Sequence, residues 1–430
     1  MKTGMMTSRF VVVLGALSLG LLVSGCEPEC VDQYDCASKK SAPPEGQQWT
    51  CAANRCVAES IPPPATDAGT DAGTNTGTDA GTDAGTDAGT DAGVACTDLP
   101  HDPKLGTLRL QTGFAAAESA ALPEGIGAVT VVQSGSDYKL YGLHGGQEGN
   151  LYALGTWPNV TLGATALQAT IPEAERGTST FLGGHLSNDG TRLMSGYTKA
   201  GAGFPGQVLV YDTVAASATW LSAPGNYTSA GVSGGFLLNG TGLEGVAEGG
   251  AAIYALKTGT TPYQTSKLAT FPEAGVSSGF TAVASNGVAV LGYGKYDPST
   301  FTVTNKLRAV SPAVYTPAFT SGTTLALSDA NAPEIHASTD LFSIAGFGNG
   351  VALHRGLYDA SFNALTRDVS RIELSVDALN PASVTAGALT SVLTTSNTCT
   401  NVVEMTPMGA DLLVGVKDKN GRRLVRLQKQ

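Results

Sequence analysis

Charged and aromatic side chains are scarce in this chain of 430 residues, at 14% and 7% of the sequence. Hydrophobic residues make up 42%, so a folded core is expected and disorder throughout the chain is excluded. The net charge is −11, of which residues 1–96 carry −7, with 12 acidic and 5 basic side chains. The remainder is nearly neutral and lacks the basic surface that nucleic-acid binding requires, so no nucleic-acid partner is expected.

Motifs for nucleotide and haem chemistry are also absent. The sequence has no Walker loop, no G-x-G-x-x-G strand-to-helix unit and no C-x-x-C-H haem site. Carboxylates are scattered, and Glu244 and Glu248 lie in a Gly-rich turn where exposure to solvent is expected. We therefore predict no cofactor, no metal site and no assignable catalytic residue.

The first 26 residues have the features of an export signal. Lys2 and Arg9 precede an apolar stretch over residues 10–23, which is too short for a comfortable membrane span. The following Leu22-Val23-Ser24-Gly25-Cys26 resembles a bacterial lipobox. The resemblance implies a signal peptide over residues 1–25 and a mature chain that begins at Cys26, lipidated with palmitate or a similar acyl chain. An ordinary signal peptide that happens to contain a cysteine is the alternative.

The lipobox resemblance also implies a cellular location. Several acyl chains on one residue anchor a protein stably, so the membrane itself is an expected partner. Asp after the lipidated cysteine retains many such lipoproteins at the inner membrane, and here the residue is Glu27. We expect the cell envelope, at the outer membrane (surface or periplasmic face) rather than the inner membrane.

Six cysteines remain after Cys26, and an even number in an exported chain predicts disulfides rather than metal thiolates. Four of them lie in residues 26–60, a segment too short to bury a core of its own, so a small disulfide module is expected there. The sequence allows three pairings of these four; we favour Cys30–Cys51 and Cys36–Cys56. A zinc site is the alternative, but the segment has no His.

Residues 61–95 are predicted to be a disordered linker. Three prolines open the segment, and seven four-residue repeats of the Thr-Asp-Ala-Gly type follow. No repeat has an apolar side chain larger than Ala, so burial cannot offset the loss of chain entropy. The regularly spaced Asp residues repel one another, which favours an extended tether.

Residues 96–430 change to short apolar runs separated by turn residues, which predicts an all-β domain. One brief helix is predicted over residues 115–122. A similar unit recurs six times; its first runs centre on Val129, Phe181, Phe236, Phe280, Phe342 and Val403. The second runs centre on Leu140, Leu193, Val246, Val290, Leu353 and Leu413.

Repeats of this length, built from short strands, are typical of a β-propeller. We predict six blades, with seven, or an irregular sandwich or β-helix, as alternatives. The last unit ends on a third strand, so residues 107–111 are predicted to supply its fourth and close the ring. Because Cys96 precedes this strand and Cys399 precedes the last unit, a Cys96–Cys399 disulfide is expected to lock the closure.

Several residues are candidates for chemistry, each with a structural alternative. Residues 231–235 and 275–279 match the G-x-S-x-G nucleophile pattern, but we expect both to be repeat turns, since no helix follows. His144, His185 and His354 belong to different units and could converge on the channel as a metal or acid–base site; solvated or hydrogen-bonded strand-end residues are the favoured interpretation.

The C-terminal basic cluster is expected to be an exposed edge rather than a site for anionic polymers; it consists of Lys417, Lys419, Arg422, Arg423, Arg426 and Lys429.

The function predicted from these features is binding. A propeller is a rigid disc that does not by itself select a chemistry, and an anchored, tethered propeller suits an envelope protein, a glycan or a small ligand as partner. One alternative is a propeller-type enzyme such as a lyase, lactonase or glycosidase. The other is a binder of small chelates in nutrient uptake, whose channel would be basic or aromatic.

Overall fold

The structure is a computed structural model, and it describes residues 47–52, 55–60, 96, 99–144, 149–163, 166–171, 185–198, 206–223, 225–241, 251–300, 302–358, 364–395 and 397–430. The chain divides into two units, residues 1–89 and 90–430. In the first unit, β1 (Gln47–Ala52) and β2 (Arg55–Ser60) form an antiparallel hairpin. No helix among the described residues is long and apolar enough to cross a membrane.

The second unit contains six small sheets arranged as a six-bladed β-propeller. Two strands, β3 (Arg109–Leu110) and β4 (Phe114–Ala121), precede the first blade and join sheets at the other end of the chain. Blade 1 contains β5 (Ile126–Ser134), β6 (Asp137–His144), β7 (Asn150–Thr156), β8 (Asn159–Val160) and β9 (Leu167–Thr170). Blade 2 contains β10 (Ser187–Asn188), β11 (Arg192–Thr198), β12 (Gly206–Asp212) and β13 (Ser217–Ser222).

The next two blades share the helix. Blade 3 contains β14 (Gly225–Val232), β15 (Gly235–Thr241), β16 (Ala251–Lys257) and β17 (Gln264–Thr270). Blade 4 contains β18 (Val276–Val283), β19 (Ala289–Asp297), β20 (Thr302–Val310) and β22 (Glu334–Ser338). Between β20 and β22, helix α1 (Pro312–Ser321) packs towards blade 3, and β21 (Leu325–Ala326) pairs in parallel with β17.

The last two blades receive the N-terminal strands. Blade 5 contains β23 (Leu341–Phe347), β24 (Gly350–Tyr358), β25 (Ala364–Val376) and β26 (Val384–Thr394), and β3 pairs with the end of β26. Blade 6 contains β27 (Asn401–Met408), β28 (Asp411–Asp418) and β29 (Gly421–Lys429), with β4 as its outer strand. Strands within each blade pair antiparallel, apart from the β17–β21 pair.

The hydrophobic core lies between the blades. Each pair of neighbouring blades encloses its own cluster of buried side chains, including the pair formed by blades 6 and 1. At that last interface, Leu140 of blade 1 and Leu413 of blade 6 are both fully buried in the same cluster. The closure of the ring is therefore packed like the other five interfaces.

The ring closes through a different strand from the one predicted. Residues 107–111 supply only the two-residue strand β3 to blade 5, whereas β4 completes blade 6. The helix predicted over residues 115–122 is wrong, because those residues form most of β4. Three consecutive alanines favour a helix in isolation, but the open edge of β29 offers a full ladder of backbone hydrogen bonds to this segment.

The predicted Cys96–Cys399 disulfide is confirmed, with a Cα–Cα distance of 5.5 Å. Cys56 is also disulfide-bonded. Cys26, Cys30 and Cys36 lie outside the described residues, as does the side chain of Cys51, so the favoured pairings Cys30–Cys51 and Cys36–Cys56 stay predictions.

The predicted phase of the repeats is confirmed in blades 1, 4, 5 and 6, and in blade 2 for the second run, where Leu193 lies in β11. In blade 3, Phe236 lies in the second strand, β15, rather than in the first. The first strand, β14, has the sequence GNYTSAGV, whose central residues Ser229, Ala230 and Gly231 are small. Phe181 and Val246, two of the predicted run centres, lie outside the described residues.

Candidate functional site: the axial channel

The innermost strands of all six blades line a central cavity of about 330 Å³. Each blade contributes two or more residues, so the cavity lies on the propeller axis. Its polar side chains are uncharged at neutral pH; they are Thr130, Gln133, Tyr138, His185, Ser187, Asn188, Ser229, Thr281 and Thr406. The described lining contains no Asp, Glu, Lys or Arg.

Side chains tie the innermost strands together across the channel wall. The first strand of a blade has one free backbone edge, and its buried carbonyl groups need hydrogen-bond donors. Asn188 of blade 2 donates to Val131 O (3.0 Å) and to Thr130 Oγ1 (2.8 Å) of blade 1. Thr406 of blade 6 donates to Val129 O of blade 1 at 2.8 Å. These bonds tie blades 2 and 6 to blade 1 along the wall.

His185 is the titratable group of this wall whose ionisation matters near neutral pH. Its Nε2 lies 2.7 Å from Ser229 O in blade 3, and a carbonyl oxygen can only accept, so Nε2 carries the proton. Burial lowers the pKa of His185, against the opposing effect of that hydrogen bond. The ring is therefore neutral at pH 7, and its Nδ1 is left with a lone pair that can accept a hydrogen bond.

The mouth of the channel includes Tyr138 and Gln133. Gly409 has φ of 62°, and a Cβ there would lie 2.7 Å from Tyr138 Oη, so the phenol sits directly on the glycine backbone. Gln133 is exposed and donates from Nε2 to Gly135 O at 3.2 Å. Gln133 is free to reach a molecule entering the channel, whereas Tyr138 also packs against the core between blades 6 and 1.

The innermost strand β27 carries an acidic side chain, Glu404, that is not among the residues lining the channel. Glu404 of β27 accepts a hydrogen bond from Arg422 Nη2 at 2.6 Å, and Arg422 also donates to Gly127 O of blade 1 at 3.0 Å. Burial raises the pKa of Glu404, and Arg422 opposes that rise. The pair fastens blade 6 to blade 1 and leaves the channel without its charge.

The three histidines considered as a convergent site lie in different environments. Only His185 lines the channel. His144 packs its ring edge against Tyr152, with ring centroids 6.5 Å apart, and His354 is buried against Phe342 at 5.4 Å. Among the described residues, no group of three His, Cys, Asp or Glu side chains is placed to hold a metal ion.

The two G-x-S-x-G segments do not occupy matching places. Ser233 lies in the turn between β14 and β15, where Gly234 has φ of 87°. Ser277 lies inside β18, opposite Gly294. Neither serine leads into a helix, and their apparent duplication comes from the wrong phase of blade 3. Glu244 and Glu248 lie outside the described residues.

The C-terminal basic cluster is not the exposed edge that the sequence predicts, because β29 pairs with β28 on one side and β4 on the other. Four of its six cations are ion-paired. Arg422 pairs with Glu404, Arg423 with Asp418, Arg426 with Asp411 and Lys429 with Glu373. Three of these pairs join strands of blade 6, and the pair of Lys429 with Glu373 joins blade 6 to blade 5.

No protein-family model matches the chain, and no curated protein is significantly similar to it in sequence. Three solved structures illustrate its structural similarities. One is from a mitotic checkpoint complex, with 10% identity over 84% of this chain and 99% of that one, and a TM-score of 0.36. Another, described as a putative oxidoreductase (glucose dehydrogenase) of Thermus thermophilus, has 12% identity over 73% of this chain and 100% of that one, and a TM-score of 0.40.

The third is a protein of unknown function from Dyadobacter fermentans, with 12% identity over 74% of this chain and 100% of that one, and a TM-score of 0.35. Similarities this distant carry no argument about function.

Proposed function

We propose that this chain is an exported lipoprotein, anchored at the cell envelope through Cys26, whose β-propeller binds a small ligand in the axial channel. The lipobox resemblance and the acidic repeat linker support the anchor and the tether. The outer membrane is the proposed location, because Glu27 rather than Asp follows Cys26.

The cavity on the propeller axis carries the binding proposal. Small-molecule sites are concave and mostly apolar, with a few polar groups that orient the ligand, and they span roughly 300–1,000 Å³. The channel has these properties: a volume of about 330 Å³, alanine and aliphatic walls, and uncharged polar groups from five of the six blades. All six blades contribute to it, so the site exists only in the closed ring.

The channel favours binding over the two alternatives. A propeller-type hydrolase or lyase would need histidines and carboxylates that converge, and the described lining offers one His and no carboxylate. A chelate binder would need a basic or strongly aromatic channel, and the described lining has Tyr138 and His185 as its only rings and no cation.

Fractionation of cells tests the anchor. Cys26→Ser should abolish incorporation of labelled palmitate and move the protein out of the membrane fraction, because the acylated side chain is lost. Cys30→Ser is the matched control and should remain labelled and membrane-bound. Membrane association of Cys26→Ser equal to the control would contradict the proposed anchor.

A plugged channel tests the site. Gln133→Cys, labelled with a bulky maleimide, places an obstruction at the mouth, and the exposed position should leave the fold intact. Gln264→Cys, exposed on the outer strand β17, carries the same label as control. Small molecules extracted from the native envelope should raise the melting temperature of wild type and labelled Gln264→Cys, but not of labelled Gln133→Cys. Equal stabilisation of both labelled variants would place binding on another surface, as expected for an envelope protein or glycan, and no stabilisation of wild type would remove the proposal.

A further inference from the structure

The geometry of the channel points to the chemical class of its ligand: we infer an uncharged, hydroxyl-rich molecule about the size of a mono- or disaccharide. This inference rests on the proposed function, because it specifies what the same channel binds.

The absence of charge in the described lining sets the first condition. A charged ligand that enters the channel gives up its hydration, and no Asp, Glu, Lys or Arg of the described lining can compensate for that loss. Glu404, the acidic residue of the innermost strand β27, is paired with Arg422 within the interface of blades 6 and 1. The channel therefore selects against both anions and cations.

The free hydrogen-bonding capacity of the wall sets the second condition, because it combines neutral acceptors with neutral donors. His185 uses its single proton on Ser229 O, which leaves Nδ1 as an acceptor. Thr406 uses its proton on Val129 O, so its hydroxyl oxygen can only accept.

Asn188 contributes no spare donor either, since its amide group donates to Thr130 and Val131. At the mouth, Gln133 donates one N–H to Gly135 O and keeps its carbonyl oxygen as an acceptor and its second N–H as a donor. The hydroxyl of Thr281 is buried without a partner among the described residues, so it can donate as well. A ligand that complements this wall needs both donors and acceptors, and a hydroxyl group supplies both without carrying a charge.

The shape and apolar surface of the wall set the third condition. Between the polar groups lie Ala230, Ala282, Ile344 and Met405, which present methyl and methylene surface. A sugar ring has hydroxyl groups around its rim and C–H groups on its faces, so it satisfies both kinds of surface at once. The volume of about 330 Å³ limits the ligand to one or two rings.

A panel of defined probes tests this inference on the full mature chain. Saturation-transfer NMR is recorded with D-glucose and maltose as neutral probes and with glucosamine and glucuronate as ring-matched charged probes. Neutral probes should bind roughly tenfold or more tightly than charged ones, since only the charged ones lose hydration without compensation. The signal of the neutral probes should disappear in labelled Gln133→Cys and persist in labelled Gln264→Cys.

A charge introduced at the mouth tests the preference between neutral and charged probes separately from their overall affinity. Gln133→Lys adds a cation at the exposed mouth and should shift preference towards glucuronate, whereas Gln264→Lys should not. Equal or stronger binding of the charged probes to wild type would overturn the inferred class. So would a failure of all four probes while the envelope extract still stabilises wild type and not the plugged variant, which leaves the proposed function standing. Failure of the extract as well overturns both.

Discussion

Individual polar residues decide how closely neighbouring blades approach. Asn239 of blade 3 is fully buried and donates to Phe280 O of blade 4 at 3.2 Å, next to a bulge in β18. Gly231 of blade 3 lies so near blade 2 that a Cβ would be 1.6 Å from Asn188 O. Such contacts are buried and directional, so they fix the order and spacing of the inner strands.

Removing the Asn239 side chain tests this role. Asn239→Ala leaves carbonyl groups of β18 and β19 buried without a donor, so it should lower the free energy of unfolding by about 1–3 kcal/mol. Asn420→Ala, at an exposed turn, is the control and should change it little. Urea denaturation followed by circular dichroism measures both, and equal stability of the two variants would contradict the assigned role.

At the scale of elements, the closing strand β4 is held by the segment that leads into it. Lys104 Nζ donates to Ala116 O at 2.9 Å, which caps part of the free edge of β4. Asp418, at the end of β28, accepts hydrogen bonds from His101 at 3.0 Å and from Arg423 at 2.9 Å. Burial opposes ionisation of Asp418, but Arg423 and the neighbouring donors outweigh it, and the pKa of this carboxyl lies below its usual value.

This pKa predicts how the closure responds to acid. The ionised carboxylate contributes stability that is fully present above the usual Asp pKa, about 3.9, and is lost as pH falls through the lower pKa of the folded state. Asp418→Asn should therefore be less stable than wild type at pH 7 and closer to it in strong acid. Asp137→Asn, at an exposed turn, is the control. Chemical denaturation from pH 7 to about pH 3 measures the difference, and a constant gap between Asp418→Asn and wild type would contradict the account.

The elements show what sequence reasoning can reach. The all-β class, six blades and Cys96–Cys399 follow from apolar runs and turn residues, because strands packed on both faces need large apolar side chains. Strand β14 is missed because its centre consists of the small residues Ser229, Ala230 and Gly231. Strand β4 is mispredicted as a helix because its pairing partner lies some 300 residues away in sequence, as Ala120 faces Leu424. The channel is equally hard to predict: Ala, Ser, Thr and Gly form much of its wall, and these residue types have no chemical signature in a sequence.

At the largest scale, the propeller unit is a ring whose first and last strands meet in blades 5 and 6. The Cys96–Cys399 disulfide closes a loop with a sequence separation of 303 residues and lies beside the hydrogen bond from Thr107 N to Thr400 Oγ1 at 2.9 Å. Cross-links that close long loops restrict the unfolded chain most, and native disulfides contribute about 2–5 kcal/mol. The closure therefore combines strand pairing, packing and a covalent bond.

Loss of the disulfide should weaken the entire propeller. Cys96→Ser combined with Cys399→Ser should lower the melting temperature of the propeller transition, because the loop is no longer closed in the unfolded state. Dithiothreitol should lower the melting temperature of the same transition in wild type and leave it unchanged in the double variant. This comparison separates the effect of Cys96–Cys399 from that of the disulfide at Cys56. A propeller transition that is insensitive to both changes would contradict the role of the bond.

The most direct test of the central claim is amide hydrogen exchange, with and without the small-molecule extract of the native envelope. Binding on the axis should slow exchange in the innermost strands β5, β14, β18 and β27 together, and leave the outer strands β13 and β22 unchanged. Protection confined to outer strands, or to one blade alone, would contradict a binding site formed jointly by the six blades.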